Sequence, residues 1–333
     1  MQEHPFAQYI RILGKGKRGS RSMTEQEAYD AMRMVINNEI EQCQLGAFLM
    51  LLRVKEETGE EIAGFVRAVR EGMLLPSKIP SVDLDWSSYA GKRRQLPWFI
   101  FSALILADSG IKVLMHGTEG HTEGRVYTRE TLELLGVPVS KTLSQAAEHV
   151  QKNSFAYIAL EHFAPTMHEI INMRPLLGLR SPVHTVARML NPFHAPYSIQ
   201  GIFHPGYRET HQEAAKFLNQ GHVAVFKGEG GEVERNPDAA CLVKSVHNDV
   251  PSEEEWPPLF TGPRHLKDET MDVQRMARVW EGAVDDEYGV ASATGTAAIA
   301  LRLMGRAQSI AEAQAQADAL WKNRNRQRVK SAA

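Results

Sequence analysis

Apolar positions recur along this chain with two different periods, and the change from one to the other divides it. Near the start, Thr24-Glu25-Gln26-Glu27 forms a capping box, in which the threonine hydroxyl takes the N3 amide and the Glu27 carboxylate returns to the cap amide. The pattern predicts a helix from there to about residue 37 and a second one through Gly46 to Val54. Thr58-Gly59-Glu60-Glu61 repeats the box and opens a helix with Ile62, Phe65, Val66 and Val69 on one face, ending near Gly72. Residues 1–78 are therefore expected to form a helical domain.

Beyond Val82 short apolar runs suited to buried strands alternate with helical stretches. Residues 99–108 read as a helix stopped by Gly110, and 111–115 as a strand ending at His116-Gly117. Thr128 and Ser144 are read as caps of two further helices, and 156–160 as the next strand. Helical runs at 166–173 and 183–190 follow. Strands are then predicted at 198–203 and 223–226, around a helix at 209–218. Such alternation predicts an α/β fold with a mainly parallel central sheet flanked by helices, over residues 79–333. The Pro- and Glu-rich segment 247–266 is expected to be an exposed loop. Helices are expected at 271–281 and 291–304, and another after Ser309, capped with the help of Glu312.

A chain of 333 residues with 43% apolar composition can bury a large core. It contains no apolar run of about 18 residues, and its first residues lack the basic-then-apolar order of a signal peptide, so a cytoplasmic protein without a membrane partner is expected. Cys43 and Cys241 make no CxxC pair and are expected to be buried thiols. With a net charge of only −2, an anionic partner must be held by local clusters. One lies between Lys15 and Arg21. Another lies between Lys322 and Lys330, where fraying is expected. The third is Lys92-Arg93-Arg94, within a turn at 89–98 and just ahead of an apolar run. Three adjacent cations attract phosphates, although such triplets also occur as solvated corners.

The ordered series of segments resembles the anthranilate phosphoribosyltransferase family, which shares its fold with the pyrimidine nucleoside phosphorylases. The likeness is carried by Gln44-Leu45-Gly46-Ala47-Phe48-Leu49-Met50, by Leu52-Arg53-Val54-Lys55-Glu56-Glu57-Thr58, and by His116-Gly117. It continues through Arg174-Pro175-Leu176-Leu177-Gly178-Leu179-Arg180 to Leu190-Asn191-Pro192 and Gln200-Gly201. It implies a separate helical domain, completed by helices near 165–190 and hinged on the α/β domain, and a homodimer made through the helical domains.

The resemblance also assigns pocket positions, and several depart from the family pattern. The enzymes hold phosphoribosyl pyrophosphate on a Gly-Thr-Gly-Gly-Asp turn followed by Asn-Ile-Ser-Thr. Here residues 89–94 and 98–102 take those places, and only Gly91 survives of the glycines. His116 and Gly117 match the family's His-Gly. Glu119 and Glu123 stand where a diphosphate would need donors. Of the paired acids that hold magnesium only Glu234 matches, because its partner is Val233; Glu229 or Glu232 would have to compensate. Arg174 matches the arginine facing the anthranilate carboxylate, and Arg180 lies on the same motif; packing of the domain hinge is the other reading of both.

Two functions are thereby expected. The first, which leans away from an enzyme, resembles the family's nucleic-acid-binding relatives: a homodimer without cofactor that binds DNA or RNA backbone with little sequence preference. Lys92, Arg93, Arg94, Arg125 and Lys227 are its candidate contacts. The alternative is a divergent phosphoribosyl or glycosyl transferase acting with Mg2+ and phosphoribosyl pyrophosphate.

Overall fold

Four helices precede the first strand: α1 (Ala7–Gly14), α2 (Glu25–Ile36), α3 (Gln42–Lys55) and α4 (Gly59–Glu71). They belong to a computed structural model that describes residues 2–330. Both capping boxes are formed, Thr24 with Glu27 and Thr58 with Glu61, so the two starts lie where the sequence predicts them. Helix α1 falls in a stretch for which no element was expected. Phe6, just ahead of it, packs edge-on against Phe48, and Phe48 against Phe65. At Gly64 the crossing of α2 and α4 is so close that a β-carbon would lie 2.2 Å from the Glu25 carbonyl oxygen.

The second domain is built on seven strands: β1 (Leu84–Ser88), β2 (Val113–Gly117), β3 (Phe155–Ala159), β4 (Tyr197–Ile202), β5 (His222–Lys227), β6 (Cys241–His247) and β7 (Val250–Trp256). Their order is β3-β2-β1-β4-β5-β6-β7. The first five run parallel, and β6 and β7 close one edge antiparallel. Helices α5 (Phe99–Asp108), α6 (Thr128–Leu134), α7 (Leu143–Asn153), α11 (Tyr207–Phe217), α12 (Val273–Glu281), α13 (Glu287–Leu303) and α14 (Ile310–Lys322) accompany the sheet. Between β3 and β4 the chain inserts α8 (Pro165–Asn172), α9 (Arg174–Leu177) and α10 (Val183–Arg188). Ile170, Ile171, Val183 and Val186 of this insertion join the same apolar cluster as Phe48 and Phe65.

Some expectations are corrected. Residues 250–256 form an edge strand where a loop was expected. Two of its charges are paired, Glu253 with Lys244 across the ladder at 3.2 Å and Glu254 with Arg302 of the helix over residues 287–303 at 2.7 Å, while Trp256 is buried at its end. Strand β6 was not foreseen either. Helix α7 is capped by Thr142, two residues before the serine expected to do so, and α6 follows Tyr127 without a side-chain cap. Cys43 is exposed and only Cys241 is buried, among apolar neighbours that push its thiol up to about 11. The basic C-terminal stretch is held down: the Arg324 guanidinium lies 3.8 Å from the centre of the Trp321 ring, and Arg328 pairs with Asp108 at 2.5 Å. Among the described residues no helix is long and apolar enough to cross a membrane.

The chain leaves β1 towards β2 on one side of the sheet, while β4 and β5 lie on the other. Such a reversal opens a crevice beyond the carboxyl ends of the two central strands, β1 and β4. The turn at 89–98 leaves β1 at this crevice.

Candidate anion-binding cleft

The turn begins on an anchored residue. The Tyr89 hydroxyl lies 2.6 Å from His116 Nδ1, and His116 Nε2 is 3.2 Å from Asp85 Oδ1, within ion-pair reach but not aligned as a hydrogen bond. Ser198 donates to the other Asp85 oxygen at 3.0 Å. The parallel register of β1 and β2 sets Ser87 beside His116 and so brings Asp85 onto the same face, a neighbour invisible along the chain. All four side chains are buried, and burial drives the Tyr89 phenol far above its ordinary range. His116 thus fixes the entry to the turn. Its neighbour Gly117 is equally constrained, since a β-carbon there would sit 2.1 Å from the Ser88 carbonyl oxygen.

Next in the turn, the Ala90 and Gly91 amides point at one oxygen, Glu232 Oε1, at 2.7 and 2.5 Å. Gly91 adopts φ +68°, a left-handed conformation that lets successive N–H groups converge into an anion-binding concavity. That concavity holds the chain's own carboxylate. Glu232 is 1% exposed, and its second oxygen has no hydrogen-bond partner among the described residues.

Lys92 does not face a ligand. Its side chain is buried and forms an ion pair with Glu234, which also accepts from the Phe99 amide at 2.9 Å, the first residue of α5. The Glu234 carboxylate therefore occupies the positive end of that helix, another place where a phosphate is readily bound. Burial pushes its carboxyl up to about 7, with Lys92 and the Phe99 amide pulling the other way. Among the expected nucleic-acid contacts Lys92 is accordingly corrected to a core residue: an ammonium this deeply buried needs its carboxylate. Arg93, Arg94 and Lys227 are exposed.

With both oxygens of Glu234 engaged, Val233 buried beside it and Glu232 committed to the turn, these residues do not fit magnesium, which needs several free hard oxygens. Among the described residues no group of three or more His, Cys, Asp or Glu side chains could hold a metal ion. Glu119 is likewise occupied. It accepts from the Arg129 amide and Nε, both at 3.0 Å, and from the Tyr157 hydroxyl at 3.3 Å, while Glu123 is exposed.

Four guanidinium groups converge beside the plugged turn. Arg125 donates to the Ala90 and Gly91 carbonyls at 2.8 and 3.0 Å. Arg174 donates to the His121 carbonyl at 2.8 Å and to the Thr122 hydroxyl at 2.5 Å, which Arg180 reaches at 3.1 Å. Arg188, from α10, is buried and donates to the Gly201 and His184 carbonyls at 3.0 and 2.7 Å. Burial, and then the charges of Arg125, Arg188 and Arg174, lower the Arg180 pKa to about 10. The same surroundings keep His121 neutral, its pKa brought to about 3 by burial and by Arg180. Among the described residues none of these arginines forms an ion pair, though Glu232 acts on Arg188 from further off. Sequence reasoning named Arg125, Arg174 and Arg180 separately. Arg188 is hidden inside an apolar helical run, and the sequence offers Glu232 only as a metal ligand.

Two family descriptions match the chain: the glycosyl transferase family helical bundle domain over residues 7–73, and the glycosyl transferase family α/β domain over residues 100–325. An uncharacterized protein of Aquifex aeolicus is 28% identical over 253 residues, 75% of each chain. An anthranilate phosphoribosyltransferase of Desulfitobacterium hafniense is 28% identical over 211 residues, which span 63% of this chain and 62% of that protein. Among solved structures, anthranilate phosphoribosyltransferase from Thermus thermophilus superimposes with a TM-score of 0.77 at 22% identity, covering 94% of each chain. The Saccharomyces cerevisiae enzyme in complex with PRPP and Mg gives 0.78 at 17% identity, covering 97% of this chain and 95% of that one.

Proposed function

This chain belongs to the glycosyl transferase family that joins a helical bundle to an α/β domain, and on that scaffold we propose that it binds the phosphate backbone of a nucleic acid without catalysis. The observation that carries the proposal is the double occupation of the donor site by the chain's own carboxylates, Glu232 on the Ala90–Gly91 amides and Glu234 on α5 and Lys92. A diphosphate would have to displace both. The positive charge that remains unpaired lies outside that pocket. Arg125, Arg174 and Arg180 line the cleft, while Arg93, Arg94 and Lys227 stand exposed. Such an arrangement suits an extended polyanion, held by many modest contacts and no sequence readout. The proposal includes a cytoplasmic homodimer through the helical domains, which the exposed Leu176 of α9 and Leu179 just after it support, and no metal or cofactor.

Phosphoribosyl transfer is the second reading, and the relatives favour it, because the named ones of known activity are anthranilate phosphoribosyltransferases. Arg174 and Arg180, both on Thr122, would then receive a small carboxylate, and Glu232 would have to swing out before a donor could enter.

A fluorescence titration with single- and double-stranded DNA tests the first reading. Binding is expected at low salt, weakening strongly towards physiological salt. Absence of binding at low salt overturns it, and consumption of anthranilate with phosphoribosyl pyrophosphate and magnesium restores the second.

A further inference from the structure

A cavity of about 120 Å³ opens between the helical part and the carboxyl end of β4, with Arg180 and Arg188 of the arginine cluster in its wall. Its wall carries three buried polar atoms without hydrogen-bond partners among the described residues: Glu57 Oε2, Ser181 Oγ and His184 Nε2. Their residues are 6, 7 and 6% exposed. Buried polar atoms are rarely left unpaired, because each forgoes its hydrogen bonds to water at a cost of about 1–3 kcal/mol. Three of them around one cavity call for hydrogen-bonding partners inside it, ordered water or the polar edge of a ligand.

The hydrogen-bonding sense of the site follows from its neighbours. Glu57 accepts from the Thr185 hydroxyl through its other oxygen at 3.1 Å, leaving Oε2 for a second donor. His184 Nδ1 lies 3.3 Å from the Ser181 carbonyl, so this nitrogen carries the proton and Nε2 is an acceptor. Burial keeps the ring neutral. The cavity thus presents two acceptors and an adaptable hydroxyl. The Phe203 ring, 53% exposed, forms part of the wall, and so do the Arg53 and Arg180 guanidinium groups.

Acceptors set deep, an aromatic face beside them and cations in the same wall fit a planar heterocycle with N–H donors joined to an anion. We propose that this cavity is a nucleobase site, taking one unstacked base against Glu57, His184 and Phe203, with its phosphate on Arg53 or Arg180. The proposal deepens the nucleic-acid reading for a strand, while a free nucleotide has the same chemistry.

Calorimetry with guanosine monophosphate and ribose 5-phosphate, together with titrations of a guanine-containing oligonucleotide and an abasic strand of equal length, separates these sources. Guanosine monophosphate is expected to bind at least tenfold more tightly than ribose 5-phosphate. Glu57→Gln, which keeps the Thr185 contact, and Phe203→Ala, at an exposed position, should each weaken it at least fivefold without lowering the melting temperature appreciably. Nucleotide binding without strand binding supports the cavity and sinks the polyanion reading. Equal binding of the two strands, with both variants unchanged, sinks the cavity and leaves the backbone reading standing. No binding of any probe overturns both.

Discussion

Lys92 and Glu234, 142 positions apart in sequence, form an ion pair buried at 1% and 0% side-chain exposure. Removing one partner leaves the other buried without its counter-charge. We expect Lys92→Met to destabilise the fold by about 3–5 kcal/mol in urea unfolding, and Lys92→Met combined with Glu234→Gln to recover most of the loss, since glutamine can still accept from the Phe99 amide. A single variant as stable as the wild type would show that the pair is not the buried contact described.

The exposed arginines behave differently. Arg93→Ala and Arg94→Ala should leave stability within about 0.5 kcal/mol of the wild type. Each lost phosphate contact should lower the slope of log affinity against log salt by about 1, equally for all DNA sequences. An unchanged slope in the double variant would place the backbone contacts elsewhere.

Emptying the turn should create an anion site. Glu232→Ala leaves two amides without an acceptor, at a cost of about 1–3 kcal/mol for each. Inorganic phosphate at ten times its dissociation constant should then return about 1.4 kcal/mol, roughly 2 °C in melting temperature for a chain of this size. The wild type should show no such shift.

Acid sensitivity follows from buried neutral imidazoles. His211, with Nδ1 2.7 Å from Gln200 Oε1, has its pKa lowered to about 3 by burial and by Arg188, and His121 behaves alike. A folded-state pKa below the unfolded value of about 6.5 means that the unfolded chain takes up the proton first. The stability these groups allow is complete above pH 6.5 and declines as pH falls towards 3, by up to about 1.4 kcal/mol per pH unit for each. Glu234 has the opposite sign, its contribution falling as pH rises from the ordinary carboxylate range through about 7. His211→Gln should flatten the acid limb of urea stability by about one proton; an unaltered limb would refute the assignment.

Much of this architecture was legible in the chain. The capping boxes at Thr24 and Thr58 and the cap at Ser309 announce their helices because the signal lies within four residues. The strands at 113–117 and 155–159 are buried on both faces and read as apolar runs. Strand β7 escaped because its exposed edge is acidic, and only the neighbouring Lys244 and Arg302 make that tolerable. In the cleft, chain order showed which residue types had replaced the glycine turn but not which way they point. Lys92 turns inward to Glu234, while Arg93 and Arg94 remain outside. Glu232, on the loop after β5, reaches the turn after β1 across the end of β4, a contact that no local pattern encodes.

The Glu232 contact also bears on time. A glycine-bearing turn that meets its anion only on ligand arrival must first be frozen into shape, and association is slowed and weakened by that ordering. Here the Ala90 and Gly91 amides are already satisfied, so the turn stands finished in the free protein. Hydrogen exchange at these two amides should be slow from the outset and indifferent to nucleic acid. Encounter with a strand would then be governed by diffusion and by the field of the surrounding arginines, with no closing step to await.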